Sequence, residues 1–248
     1  MHLQALIISL ILSAAFPQGR AADFHSAYES EWNEAVSYAD AHRQAWRRIW
    51  DFFGVDSRIA EAVVFPEMVR YGAFQDQMET MAVRGTYVRG GTKVFNFSIG
   101  RFQMKPSFVE DLEKRWMKSP YARQYDARFI TDDNQIVRRE RLDRMADDLW
   151  QCVYVAMFLK LLYLDYGSVD SEGRVVRDGI DQLPEDEQLR LAATAYNRGC
   201  AWSSPGAGDI ESLASSAWDR HFHMSVFPSS TTRRFNYGDI ASEHFNSL

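Results

Sequence analysis

Glu67 is a candidate for acid–base chemistry, because it is a carboxylate within an apolar stretch of the sequence. It follows an apolar run within the stretch Ala60–Arg70, which predicts a buried helix with Gly72 as its C-terminal stop. The apolar positions are Ile59, Val63, Val64 and Phe65. A carboxylate in the last turn of such a helix has apolar neighbours and the negative end of the helix dipole beside it, and both raise its pKa. A carboxylic acid that stays protonated near neutral pH can protonate a leaving-group oxygen, as in glycoside cleavage. A glutamate that simply reaches solvent fits the same pattern.

Two later segments carry amide and hydroxyl side chains that could accompany Glu67. One runs from Ser98 to Pro106 and contains Gln103, and the other ends a predicted helix with Tyr196 and Asn197. The two amides suit the acetamido groups of sugars, and the tyrosine hydroxyl can donate to a carboxylate or to a substrate. Core packing for the tyrosine and helix capping for the asparagine are the structural alternatives.

In their order and chemistry, the three segments resemble the lytic transglycosylase domain of soluble lytic transglycosylases. That family has a catalytic Glu at a helix end, then G-L-M-Q-x-x-P, then A-Y-N-x-G. Here Gly100-Arg-Phe-Gln103 stands at the position of G-L-M-Q, and Pro106 keeps the same spacing. The last motif, Ala195-Tyr-Asn-Arg-Gly199, matches in full, and the resemblance covers roughly residues 56–199.

The resemblance implies a mainly α fold, a lysozyme-like helical domain that cleaves peptidoglycan glycan strands without water. Glu67 would be the single acid and base at the bond between N-acetylmuramic acid and N-acetylglucosamine, giving an anhydro-muramic product. The expected substrate-binding residues are Ser98, Arg101, Phe102, Gln103, Tyr196 and Asn197. No cofactor and no metal are expected, and the enzyme is expected to be a monomer.

The sequence departs from the family pattern at several positions. Met68 stands where the family usually has Ser, and Ser98 is a candidate substitute for the lost contact. The stretch between Glu67 and Gln103 is longer than expected. A peptidoglycan-binding or scaffold protein without turnover is therefore an alternative. Hydrolysis of the lysozyme type is a lesser one, since Asp76 or Glu79 could supply a second carboxylate.

The N-terminal apolar segment, residues 3–16, is too short to span a bilayer and is followed by small residues. We therefore expect a signal peptide over residues 1–22, although a buried first helix is the alternative. The remaining divisions are a transglycosylase domain over 23–204 and a C-terminal extension packed on it over 205–248. No Cys lies at the predicted cleavage junction and no transmembrane segment is indicated, so an exported, periplasmic or cell-envelope protein is expected.

Charge also restricts the partners. The chain has 28 Lys and Arg against 34 Asp and Glu, a net charge of −6, which argues against a nucleic-acid partner. Residues 81–109 nevertheless carry five basic residues and no acidic one, which suggests a local anionic ligand. These are Arg84, Arg89, Lys93, Arg101 and Lys105. Cys152 and Cys200 could form one disulfide or remain buried thiols.

The pattern of the remaining chain is helical with one exception. β-Branched and aromatic residues flank the pair Gly90-Gly91 and predict a small β-hairpin over residues 86–97. Residues 24–53 predict an amphipathic helix whose aromatic stripe faces the core, and residues 149–166 predict a buried central helix. The hairpin could cover a groove or lie on the surface.

Overall fold

The computed structural model describes residues 21–74, 81–169, 172–175, 179–198, 221–225 and 232–248. Several features predicted above lie outside these ranges. They are residues 1–20 of the predicted signal peptide, Asp76, Glu79, Gly199, Cys200, and residues 205–220 and 226–231 of the predicted C-terminal extension.

Ten α-helices occur in the described part of the chain, so the prediction of a mainly α protein is confirmed. They are α1 (Ala21–Ala27), α2 (Glu29–Phe52), α3 (Ser57–Phe74), α4 (Met81–Gly90), α5 (Pro106–Lys118), α6 (Tyr121–Gln124), α7 (Gln135–Ala146), α8 (Asp148–Tyr166), α9 (Glu185–Arg198) and α10 (Tyr237–Phe245). A 3-10 turn, Ile180–Gln182, precedes α9, and two strands, β1 (His221–Ser225) and β2 (Thr232–Asn236), pair antiparallel before α10.

The core lies between α2, α3, α8 and α9. Helix α8 is apolar nearly all round and almost wholly buried, as its sequence predicts, and the carboxylate of Asp147 caps its start by accepting from the Trp150 N–H. The aromatic stripe of α2 faces this core, with Trp46 and Trp50 fully buried. Cys152 is a buried free thiol on α8.

The predicted hairpin over residues 86–97 is wrong. Residues 86–90 form the end of α4, and Gly91, with φ +68°, turns the chain away from it. Tertiary contacts explain why the helix prevails over the β propensity of this segment. The guanidinium of Arg138 donates to the carbonyl of Val88 at 2.9 Å and to that of Arg89 at 3.4 Å. These are carbonyls that a helix end leaves without a partner.

The C-terminal helix α10 packs on α3 and α9. Its His244 lies stacked on Phe65 and within 3.0 Å of the buried carboxylate of Glu61, which also receives two hydrogen bonds from Arg43. Burial by itself raises the pKa of Glu61, but the bonds from Arg43 and His244 outweigh it and lower that pKa to about 2. The ion pair of Arg43 and Glu61 therefore joins α2 to α3, and the contact of His244 with the same carboxylate adds α10.

A tight turn links Ile99 to Met104, whose backbones pair through two hydrogen bonds. Gly100 has φ +72° here, in the left-handed region that favours glycine. A Cβ added at Gly100 would lie 1.6 Å from Nε2 of Gln151 and 2.8 Å from the carbonyl of Met145. Only glycine fits this position, because both its backbone conformation and its contact with α8 exclude a side chain.

We expect Gly100→Ala to lower the free energy of unfolding by about 2–4 kcal/mol, since it adds a steric clash to backbone strain. Gly173→Ala is the matched control. Gly173 also has a positive φ, +78°, but nothing lies within 4 Å of an added Cβ. That variant should lose only about 1–2 kcal/mol. Equal losses for both variants in urea denaturation would contradict the close approach of Gly100 to Gln151.

Candidate active site

Glu67 lies in the interior of α3 and is 5% exposed. The burial that the sequence predicts is confirmed, but the predicted position in the last helical turn is wrong, because the helix passes Gly72 and ends at Phe74.

Pro66 precedes Glu67 inside the helix and has no N–H to donate, which interrupts the helical hydrogen bonds at this point. The hydroxyl of Tyr237 donates to the nearby carbonyl of Val63 at 3.0 Å. Contact with α10 therefore supports the interrupted turn that carries Glu67.

Two side chains contact the carboxylate of Glu67. Asn197 Nδ2, in the last turn of α9, donates to Oε1 at 3.1 Å, and Arg70 lies 3.5 Å from Oε2. Lys105, which follows the turn Ile99–Met104, is the second cation that acts on this carboxylate. The contact with Asn197 joins two helices whose sequence motifs are 130 positions apart.

Burial raises the pKa of Glu67 above its ordinary value. The Arg70 charge, the hydrogen bonds from Asn197 and Arg70, and the Lys105 charge act in the opposite direction and reduce the effect. Of the two causes that the sequence offers, burial among apolar neighbours is the one that acts here, since Glu67 is not at the C-terminus of α3. The arrangement can hold a carboxylic acid that gives up its proton and takes one back.

The backbone of Phe102 is held from both sides. Its N–H donates to Oε1 of Gln151 at 2.8 Å, and its carbonyl accepts from the hydroxyl of Tyr196 at 2.8 Å. The phenyl ring is fully buried and meets Trp46 edge to face. Phe102 is therefore a core residue that fixes the turn, and its ring is not available to line a groove.

Tyr196 and Asn197 are neighbours on α9 with different tasks. Tyr196 binds the turn through Phe102, while Asn197 binds Glu67. Burial raises the pKa of Tyr196 well above its ordinary value, and the nearby Glu67 charge adds to this. One helix end thus brings the turn and the carboxylate together.

Gln103 and Ser98 are close to this arrangement but do not bind Glu67. Gln103 has φ +51°, and its amide Nε2 donates to the carbonyl of Gly100 at 2.9 Å within the same turn. Ser98 is half-buried immediately before the turn. Within the described residues, neither side chain hydrogen-bonds to Glu67 or Asn197.

Arg101 lies between two aromatic rings. Its guanidinium carbon is 4.2 Å from the ring centroid of Tyr38 and 4.5 Å from that of Tyr71, which is one turn beyond Glu67 on α3. It also lies 3.3 Å from the carboxylate of Glu34. The other predicted basic residues that can be placed, Arg89, Lys93 and Lys105, are exposed. Arg101 therefore fixes the turn against α2 and α3.

Two residues, Gln151 and Tyr237, have roles here that the sequence motifs do not include. Gln151 is fully buried in an apolar helix. A polar residue within such an apolar run indicates a buried hydrogen-bond partner, and this signal is visible in the sequence. Tyr237 carries no comparable signal, because its contact with α3 depends on how the C-terminal segment folds back. Met68 is 2% exposed within the core, so the residue beside Glu67 faces away from solvent.

Both groups that act as charges on Glu67 in the described part of the chain are cations. The same ranges contain no group of three His, Cys, Asp or Glu side chains that could hold a metal ion. No helix within them is both long enough and apolar enough to cross a membrane.

Comparison of the chain with protein-family models, with curated proteins and with solved structures gave no match in any of the three.

Glu67→Gln is expected to raise the free energy of unfolding at neutral pH. Because the pKa of Glu67 is higher in the folded state than in the unfolded one, its ionisation disfavours folding as the pH rises through these values. Glutamine stays neutral and can still accept from Asn197. The gain measured by urea denaturation should therefore be larger near pH 8 than near pH 4.

The control is Glu140→Gln, at an exposed glutamate of α7. Its effect should stay within about 0.5 kcal/mol. A gain for Glu67→Gln that does not change with pH would contradict a raised pKa at Glu67.

Proposed function

We propose that this protein is an exported peptidoglycan lytic transglycosylase with a lysozyme-like helical domain. It would cleave the bond between N-acetylmuramic acid and N-acetylglucosamine and release an anhydro-muramic product. The observation that carries the proposal is the contact of a buried glutamate, whose pKa is raised, with Asn197 of a motif far along the chain. Export rests on the apolar N-terminal segment of the sequence.

The proposed reaction uses Glu67 twice. The protonated carboxyl gives its proton to the glycosidic oxygen as the bond from that oxygen to C1 of the muramic acid breaks. The resulting carboxylate takes the proton from the 6-hydroxyl of the same sugar, whose oxygen then bonds to C1. No water is consumed, and the glutamate ends in its starting form.

The neighbours of Glu67 suit both halves of this cycle. Burial favours the acid form before the first proton transfer, while Asn197 and Arg70 stabilise the carboxylate that follows it. Because burial and the two partners act on the pKa of Glu67 in opposite directions, this one carboxyl group would act first as an acid and then as a base. Arg70 and Lys105 would also attract the carboxylates that peptidoglycan carries, an attraction that salt weakens.

The remaining predicted residues divide into two groups in this proposal. Ser98, Gln103 and Asn197 are partly accessible and would contact the acetamido or hydroxyl groups of the glycan. Arg101, Phe102 and Tyr196 would act as positioning residues, because their described contacts are with protein groups. Binding a glycan would require Gln103 to leave its bond with Gly100.

A second candidate, a peptidoglycan-binding protein without turnover, is favoured by two observations. Glu67 is 5% exposed, and Gln103 is turned onto its own backbone. A site held in this way could bind a glycan strand and fail to bring the acid to the glycosidic oxygen.

Digestion of purified cell-wall sacculi by the wild-type protein is expected to release anhydro-muropeptides, detected by mass spectrometry. Glu67→Gln should lower that release by about 10²–10⁴-fold while the protein stays folded. The control variant Glu140→Gln should match the wild type.

The products distinguish the candidates. Fragments with a reducing end would contradict the transglycosylase and indicate a hydrolase. Binding to sacculi with no release, unchanged by Glu67→Gln, would identify the protein without turnover.

A further inference from the structure

A second cleft lies at the other end of α3 from Glu67. Its volume is about 440 Å³, which is in the range of small-ligand sites. The cleft is lined by the starts of α3 and α9 and by residues of α6 and α8. Ile59 lines it two turns before Glu67, which separates the two places by roughly 12 Å along the helix. Gln188 near the start of α9 also lines it, while Asn197 at the end of the same helix binds Glu67. The cleft and the candidate active site therefore do not share residues.

A cation is held in this cleft by aromatic rings. The ammonium of Lys160 lies 4.8 Å from the ring centroid of Tyr121 and 5.7 Å from that of Tyr125. Across the described ranges, no carboxylate forms a salt bridge with this ammonium. The rings hold it at the cleft wall by cation–π attraction, and its charge remains available to an anionic group of a ligand.

Two carboxylates also line this cleft. Asp56 and Glu185 both line it and are exposed. Burial first, and then the charges of Asp181, Asp56 and Glu185, raise the pKa of Tyr163 to about 12. Lys160, Asp56 and Glu185 all line this one cleft, so a single small ligand can contact the cation and the carboxylates.

The polar wall between these charges is fixed. The Tyr163 hydroxyl donates to Oε1 of Gln188 at 2.7 Å, and Nε2 of Gln188 donates to the carbonyl of Leu183 at 2.8 Å. Asp56 Oδ1 accepts the N–H groups of Arg58 and Ile59, which orients the carboxylate at the start of α3. The rest of the lining is apolar, from Val55, Ile59 and Leu159.

We propose that this cleft binds a zwitterionic peptide of two or three residues that carries an apolar side chain. The peptide carboxylate would pair with Lys160, its ammonium with Asp56 and Glu185, and its side chain would contact Ile59 and Leu159. The termini of such a peptide are about 5–10 Å apart, a length that fits within a cleft of about 440 Å³. A purely anionic ligand would meet two carboxylates, and a purely cationic one would meet Lys160, so the charge pattern selects a zwitterion.

The test is a titration of the whole protein with Ala-Leu and Ala-Leu-Ala, followed by NMR of the backbone amides. Signals of the cleft residues Tyr163 and Gln188 are expected to shift, and those of Glu67 and Asn197 to stay. Lys160→Met should weaken binding about tenfold, and the pair Asp56→Asn with Glu185→Gln should do the same. Asn at position 56 keeps the helix cap, so the pair removes charge and leaves α3 intact.

Peptides with one blocked terminus show which charged residues bind each end of the peptide. The C-amidated peptide should bind Lys160→Met at least as tightly as the wild type, and the N-acetylated peptide should bind the Asp56/Glu185 pair at least as tightly as the wild type, because each variant removes a like charge. Lys114→Met, at an exposed lysine of α5, is the matched control and should bind like the wild type.

Three outcomes would overturn the proposal: no shift at the cleft with either peptide, blocked peptides that bind as tightly as free ones, or an equal effect of Lys160→Met and Lys114→Met. None of these measurements depends on glycan cleavage, so the proposed function and this site fail or stand separately.

Discussion

The carboxylate of Glu67 lies inside a helical core, and much of the surrounding structure follows from the need to satisfy it there. A buried carboxylate without partners would be strongly destabilising. Asn197 supplies a hydrogen bond and Arg70 a charge, which makes the position tolerable without returning the pKa to its ordinary value. Glu67 therefore holds its proton to a higher pH than a solvent-exposed glutamate does.

A second set of contacts makes this geometry rigid. The turn Ile99–Met104 is held by Gln151 on one side and by Tyr196 on the other, both through the backbone of Phe102. Gly100 lets α8 approach closely enough for the first of these bonds. Since Tyr196 and Asn197 are adjacent, a shift of α9 would move the turn and the partner of Glu67 together. Such support from a surrounding layer of hydrogen bonds is what holds catalytic groups in a fixed arrangement.

Sequence patterns could predict the helical class, the burial of Glu67 and the aromatic core of α2, because each depends on local periodicity. They failed over residues 86–97, where Arg138, fifty positions away from Val88, satisfies the end of a helix. They also failed for the end of α3, which continues through Gly72, because one glycine inside a helix costs only about 1 kcal/mol and is a weak stop signal. The contacts of Gln151 and Tyr237 with distant backbone groups depend on the assembled fold and leave no local pattern.

Helix α10 reaches back across almost the whole chain. Tyr237 contacts Val63 across 174 positions, and His244 contacts Glu61 across 183. During synthesis from the N-terminus, α3 therefore leaves the ribosome long before the residues that support its interrupted turn. Native packing around Glu67 can be completed only once residue 244 has emerged. The site's assembly therefore waits for the synthesis of α10, whatever reaction the site performs.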